Sequence, residues 1–73
     1  MDKDLILTKI SENIRLARLK RRYTQEALAE KAGITQKYLN MIENKNANPS
    51  IVIVVNICEA LNIELNSLLI DIV

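Results

Sequence analysis

Three polar side chains in the stretch from Thr35 to Asn44 have the chemistry of recognition, because they share the outer side of one predicted helix. Gln36 and Asn40 carry amides that donate and accept hydrogen bonds, and Lys37 carries an ammonium donor. A glutamine amide can bond N6 and N7 of adenine together, and a lysine can donate to O6 and N7 of guanine. The plain alternative is a polar surface that only keeps the helix soluble.

Catalytic and metal chemistry have few candidates in this chain. It has no histidine, a single glycine and no clustered carboxylate pair, so the usual general base and phosphate loop are missing. The one cysteine, Cys58, forms neither an internal disulfide nor a zinc site by itself. Its apolar setting is typical of a small core residue. The sequence therefore predicts a protein that is not an enzyme and that uses no metal and no cofactor.

Charge is unevenly distributed, although the formal net charge is only +1. All ten lysines and arginines lie in residues 1–50, and residues 51–73 hold acids without bases. The densest basic run is RLARLKRR at 15–22. Such runs are usually solvated surface, but beside a nucleic-acid-binding motif they are typical of phosphate contacts.

Two short helices joined by a tight turn would position the three polar side chains. Thr24 is placed to cap the first helix by accepting a backbone N–H, and Thr35 to cap the second. Gly33 between them suits the left-handed residue that ends a helix. The positions expected on the buried side are Leu28, Ala32, Ile34, Leu39 and Ile42, flanked by Tyr38. This arrangement predicts a helix-turn-helix.

A longer helix is expected before this pair. Its cap should lie between Asp4 and Thr8, and the helix should run to about Arg21. The predicted buried stripe comprises Ile6, Ile10, Ile14 and Ala17, extended sideways by Leu16 and Leu19.

The apolar stretch from residue 51 allows two interpretations. IVIVV at 51–55 is β-branched throughout and resembles a buried strand. Helical spacing continues through Ile51, Val54, Ile57, Cys58 and Leu61, however, and a lone strand has nothing to pair with. A helix capped by Ser50 and ending near Asn62 is therefore favoured. Residues 65–70 predict a short fifth helix.

A chain of 73 residues predicts one domain spanning 1–73. Neither a signal peptide nor an apolar stretch long enough to cross a membrane is apparent, so a cytoplasmic protein is expected. Because the sequence stops at residue 73, no ligand-sensing domain and no small-molecule effector are expected.

The ordered set of motifs resembles the phage-repressor and Cro type of helix-turn-helix, also called the xenobiotic-response-element family. The motifs are IR..R at 14–18, TQEALAEKAGIT at 24–35, YL..IEN at 38–44, NPS at 48–50 and I..VV.I..AL.I....L at 51–68. The resemblance implies an all-α fold, a compact five-helix lambda-repressor-like domain with the helix-turn-helix at helices 2 and 3.

The same resemblance implies roles for particular residues. Helix 35–44 would enter the major groove of double-stranded DNA. Gln25 would contact a phosphate and brace Gln36, while Glu43 would pair with Arg18 as a structural clamp. The base-reading candidates are then Gln36, Lys37 and Asn40, and the backbone candidates are Gln25, Thr35, Arg22, Lys45, Asn46 and Asn48.

Two positions depart from the family pattern. The family often has glycine after its first helix and after its recognition helix, where this chain has Arg22 and Lys45. Residues with a side chain take positive φ at some cost. Both turns are therefore expected to carry strain, with the two basic side chains adding backbone contacts in return.

The end of the chain is more apolar than the family pattern requires. The residues concerned are Val52, Ile53, Val55, Leu65, Leu69, Ile70, Ile72 and Val73. An exposed apolar patch on a soluble domain usually marks a partner surface, although such residues can also simply cap a small core. A symmetric homodimer is favoured, which would bind a pseudo-palindromic operator with half-sites about one helical turn apart.

The leading hypothesis is thus a dimeric, sequence-specific transcriptional regulator. A small phage or mobile-element repressor, a restriction–modification controller and an antitoxin all fit, with activation and repression both open. The alternative from another class is a helical protein-interaction module that binds a protein partner through its apolar C-terminal surface.

Overall fold

The computed structural model describes residues 2–69. Within this range four α-helices are followed by a 3₁₀ turn, and no strand is present. The elements are α1 (Lys3–Lys20), α2 (Gln25–Ala32), α3 (Gln36–Glu43), α4 (Ile51–Leu61) and the turn Leu65–Leu68. The all-α prediction is confirmed, including the helix favoured over a strand from residue 51. Where a fifth helix was predicted at residues 65–70, the described part, which ends at residue 69, forms the 3₁₀ turn Leu65–Leu68, since so short a segment gains little from α-helical bonding.

Each of these helices begins at a side chain that accepts a hydrogen bond from a backbone N–H of the first turn. The acceptor and donor residues are Asp2 with Asp4, Thr24 with Ala27, Thr35 with Tyr38, and Ser50 with Ile53. The caps predicted at Thr24, Thr35 and Ser50 are present. The prediction for α1 was wrong: Asp2 caps it, and Asp4 lies in the first turn, where a negative charge favours the positive helix end.

The four helices also end alike, with one residue in the left-handed conformation. These residues are Arg22 (φ 60°), Gly33 (φ 74°), Lys45 (φ 64°) and Asn62 (φ 55°). The next amide then donates to a carbonyl five residues back, as from Tyr23 to Arg18 at 3.1 Å. The strained turns expected at Arg22 and Lys45 are therefore observed.

The core lies between one face of α1 and the inner faces of the other helices. Its fully buried apolar residues are Ile14, Leu28, Leu39, Ile42, Ile57, Leu61 and Leu68. Three residues predicted to be buried are exposed instead, namely Leu16 (59%), Leu19 (47%) and Ile51 (63%). Leu16 and Leu19 lie roughly 140–160° around α1 from Ile14. Ile51 is the first residue of α4, one turn before the buried Val54.

Two long-range hydrogen bonds fix α1 against the end of the chain. The Nδ2 of Asn13 donates to the carbonyl of Leu68 at 2.9 Å, and Nη2 of Arg21 donates to that of Asn62 at 3.3 Å. On its other side α1 packs against α3, and α2 packs against both α3 and α4. The third helix is therefore supported from two sides, and its remaining side faces solvent.

Candidate nucleic-acid interface

The third helix separates a buried face from a polar one. Leu39, Ile42 and Glu43 are buried, while the three candidate readers are exposed. Those readers are Gln36, Lys37 and Asn40. The residues predicted to face outwards on this helix are therefore the exposed ones. Their amide and ammonium groups have the chemistry to bond base edges.

A buried ion pair anchors the C-terminal end of α3. The Nε of Arg18 donates to Oε2 of Glu43 at 2.8 Å, and Nη2 donates to Oε1 at 3.1 Å. The two side chains are only 12% and 2% exposed. Arg18 also donates from Nη1 to the carbonyl of Tyr23 at 2.9 Å. One guanidinium thus joins α1, the connection before α2 and the end of α3.

The side chain of Gln25 has different partners from the one that the family resemblance implies. Its Nε2 donates to Oε1 of Glu43 at 3.1 Å, and its Oε1 accepts from Nδ2 of Asn40 at 3.3 Å. Among residues 2–69 the described bonds of Gln25 therefore run to Glu43 and Asn40 rather than to Gln36. The reason is geometric, because Asn40 and Glu43 lie on the side of α3 that faces the start of α2.

Most of the candidate backbone contacts lie at the surface. Thr35, Arg22, Lys45, Asn46 and Asn48 are all exposed, whereas Gln25 is half-buried. The hydroxyl oxygen of Thr35 accepts from the amide of Tyr38 at 3.0 Å, which leaves its proton available to a phosphate. The amide of Asn46 donates to the carbonyl of Met41 at 2.8 Å, so the left-handed turn at Lys45 fixes the start of the loop after α3.

The basic run at 15–22 divides into two sets. Arg15, Lys20, Arg21 and Arg22 are exposed, whereas Arg18 is largely shielded and bonded to Glu43. The bond from the exposed Arg21 to the carbonyl of Asn62 was missed by the sequence interpretation, and no local pattern indicates it. The surface available to phosphates is therefore smaller than the run suggests.

The apolar C-terminal residues are also divided. Val52 and Val55 are exposed, Ile53 and Leu65 are partly buried against the core, and Leu69 is partly buried. The predictions for Ile70, Ile72 and Val73 lie outside the described residues. Ile51, which the sequence interpretation placed in the core, instead stands beside Val52, and both are 63% exposed. We call Ile51, Val52 and Val55 the α4 patch.

Other chemistry is limited in the described part of the chain. Cys58 is buried, and this burial raises the pKa of its thiol. No group of potential metal ligands is found among residues 2–69. None of the helices described is both long and apolar enough to cross a membrane.

Known proteins resemble this chain in sequence and structure. The helix-turn-helix family model of the Cro/C1 type matches residues 14–68. A search of curated proteins gives no match. The restriction–modification controller protein C.AhdI from Aeromonas hydrophila is 31% identical, with a TM-score of 0.82, over 85% of this chain and 94% of that one.

Two further solved structures extend this likeness. The controller protein C.Esp1396I, solved as a tetramer with its natural 35 base-pair operator, is 32% identical, with a TM-score of 0.78, over 81% of this chain and 78% of that one. The hypothetical transcription factor NHTF from Neisseria is 26% identical, with a TM-score of 0.85, over 93% of this chain and 76% of that one.

Proposed function

We propose that this chain, which belongs to the helix-turn-helix family of the Cro/C1 type, is a DNA-binding transcriptional regulator that acts as a homodimer on a pseudo-palindromic operator. The recognition helix is α3, which would enter the major groove. The observation that carries this proposal is the exposed face of Gln36, Lys37 and Asn40 on a helix clamped to α1 through Glu43 and Arg18.

A clamped helix matters because base recognition depends on position. A good bidentate contact with the right base contributes about 1–3 kcal/mol of discrimination, and it is lost when the helix shifts. The pair of Arg18 and Glu43 and the packing of α2 restrain α3 on the sides that do not face DNA. Thr35 and Asn46 lie at the two ends of the recognition helix, and they and Arg22 are exposed. These side chains would contact phosphates, which set register rather than sequence.

The α4 patch supports the homodimer. Ile51 and Val52 are each 63% exposed and adjoin Val55 on α4, the helix that follows the recognition helix in the chain. Burying such side chains against a second copy removes apolar surface from water, at roughly 25 cal/mol per Å². A two-fold axis through this patch would present two copies of α3 to half-sites about one helical turn apart.

Among regulators of this family, a restriction–modification controller fits well. The match to C.AhdI covers 94% of that protein, so the likeness extends over nearly its whole length. In this proposal residues 1–73 act as one cytoplasmic domain, without a cofactor and without catalysis. Control would come from the concentration of the protein through dimerisation and operator occupancy.

The proposal is tested by selecting binders from a library of random double-stranded DNA and measuring their affinity by fluorescence anisotropy. A regulator should enrich a two-fold symmetric motif. Its affinity should fall by orders of magnitude between about 50 and 200 mM salt if about six or more phosphates are contacted. Absence of an enriched motif and of salt-dependent binding would contradict the proposal and favour a protein-interaction module.

A further inference from the structure

Four side chains form one continuous line of hydrogen bonds from α1 to the outer face of the recognition helix. Arg18 donates to both carboxylate oxygens of Glu43, at 2.8 and 3.1 Å. Gln25 donates to Oε1 of Glu43 at 3.1 Å and accepts from Nδ2 of Asn40 at 3.3 Å. The line therefore begins at a buried ion pair and ends at an exposed amide in the candidate interface.

The direction of each bond in this line follows from the chemistry of the group before it. A carboxylate that is paired with arginine has only acceptors, so Gln25 must turn its amino group towards Glu43. The carbonyl of Gln25 then faces Asn40 and again can only accept. Asn40 must therefore turn its amino group towards Gln25, which leaves its own Oδ1 on the other side of the amide.

We call this line of hydrogen bonds from Arg18 through Glu43 and Gln25 to Asn40 the relay. We propose that the relay makes Asn40 a hydrogen-bond acceptor towards DNA and thereby selects a base with an exocyclic amine. In the major groove these bases are adenine, through N6, and cytosine, through N4. Guanine and thymine instead present the acceptor oxygens O6 and O4 at this position of the major groove. Either oxygen would face the carbonyl oxygen of Asn40, and no hydrogen would lie between the two acceptors. The inference rests on the proposed function, because it requires α3 to lie in the major groove.

The relay assigns Gln25 and Glu43 a positioning role in base choice. A free asparagine amide can rotate by half a turn and offer either its carbonyl or its amino group at nearly equal cost. Fixing one orientation removes the choice without adding any contact between Gln25 or Glu43 and a base. A phosphate contact by Gln25 would weaken binding on all sequences alike, so the ratio of affinities between bases isolates the relay.

The first test locates the operator position that Asn40 faces. The wild-type protein is used in the library selection, and the selection is repeated with Asn40→Ala. The position whose preference disappears in the variant should carry adenine or cytosine on the contacted strand in the wild type. Guanine or thymine there, or no position that responds to Asn40→Ala, would overturn the relay even though the wild-type motif is present. Failure of the proposed function would look different, because no motif would be enriched at all.

The second test releases the amide. In Gln25→Ala the preference at this position should fall from about tenfold towards parity, while preferences at other positions stay as in the wild type. Glu26→Ala is the matched control, because Glu26 is exposed, adjoins Gln25 and loses the same number of heavy atoms. An unchanged ratio in Gln25→Ala would overturn the proposal.

The third test reverses the relay. In Glu43→Gln the shorter contact with Arg18, 2.8 Å from Nε, favours an oxygen at the Oε2 position. The amino group then takes the Oε1 position, gives up the 3.1 Å bond from Nη2 of Arg18 and donates to Gln25. Gln25 would then turn its amino group to Asn40, and Asn40 would turn its amino group to the DNA. The preferred base should change to guanine or thymine, a result that a merely structural role of Glu43 does not produce. A folded variant that keeps the wild-type base would contradict the relay, and if thermal melting shows an unfolded variant, Gln25→Ala decides.

Discussion

The Nε of Arg18 lies 2.8 Å from Oε2 of Glu43, which joins the last turn of α1 to the last residue of the recognition helix. Both side chains are largely shielded from water, and the same guanidinium also binds the carbonyl of Tyr23. This contact holds α3 against the rest of the domain on the side away from its exposed polar face.

Removing one member of this pair should destabilise the protein strongly. Glu43→Ala leaves the guanidinium of Arg18 largely buried without its carboxylate, and we expect a loss of about 3 kcal/mol in the free energy of unfolding. Urea denaturation followed by circular dichroism measures this. Glu26→Ala is the control, because Glu26 is exposed and its loss should change stability by no more than about 0.5 kcal/mol. Equal effects of the two substitutions would show that the pair contributes nothing special.

The left-handed turn at Lys45 predicts a conflict between stability and binding. Lys45→Gly should raise stability by about 1 kcal/mol, because glycine takes a φ of 64° without strain. The same variant should bind all DNA sequences more weakly if the ammonium contacts a phosphate. Gly33→Ala provides the opposite control: no atom lies within 4 Å of an added Cβ, so strain alone should cost about 1 kcal/mol. Thermal melting and anisotropy measure the two effects, and unchanged DNA affinity would remove Lys45 from the interface.

Base reading by Gln36 is tested on specific and random DNA in parallel. Gln36→Ala should weaken binding to the selected operator by about 1–3 kcal/mol and leave binding to random DNA nearly unchanged. Gln36 is exposed, so the substitution should not disturb folding. An equal loss on both DNAs would indicate a contact with the backbone rather than with a base.

The α4 patch predicts the oligomeric state. Val52→Lys places a charge in the middle of the proposed interface without entering the core, so sedimentation should shift from dimer to monomer. Leu16→Lys is a matched control, because Leu16 is similarly exposed but belongs to α1 and not to the α4 patch. A monomeric wild type, or a dimer that survives Val52→Lys, would contradict the proposed interface.

Burial of Cys58 predicts a loss of stability in alkali. Because burial raises the pKa of this thiol, the folded protein keeps its proton at pH values where the unfolded chain releases it. The contribution is complete below the ordinary thiol pKa of about 8.5 and is lost as pH rises beyond it. Between about pH 8 and pH 10 the wild type should therefore lose more stability than Cys58→Ala, measured by urea denaturation. Parallel pH profiles would show that the thiol does not titrate differently in the two states.

Much of the architecture could be predicted from local pattern. The caps at Thr24, Thr35 and Ser50 and the left-handed Gly33 depend on residues only a few positions away, so sequence alone was enough. The helix from residue 51 was more difficult, because its β-branched residues favour a strand. The helical spacing of its apolar residues and the absence of a pairing partner decided the matter.

Sequence by itself determined the order of the helices and the polar outer face of α3, since helical periodicity and capping are interactions within one or two turns. The tertiary structure decided which side chains meet across helices. Gln25 bonds Asn40 and Glu43 because α2 and α3 cross there, and Arg21 bonds the carbonyl of Asn62, 41 residues away in the sequence. Such contacts depend on how each helix is rotated about its axis and on where helices cross, and spacing along a single chain does not contain that information.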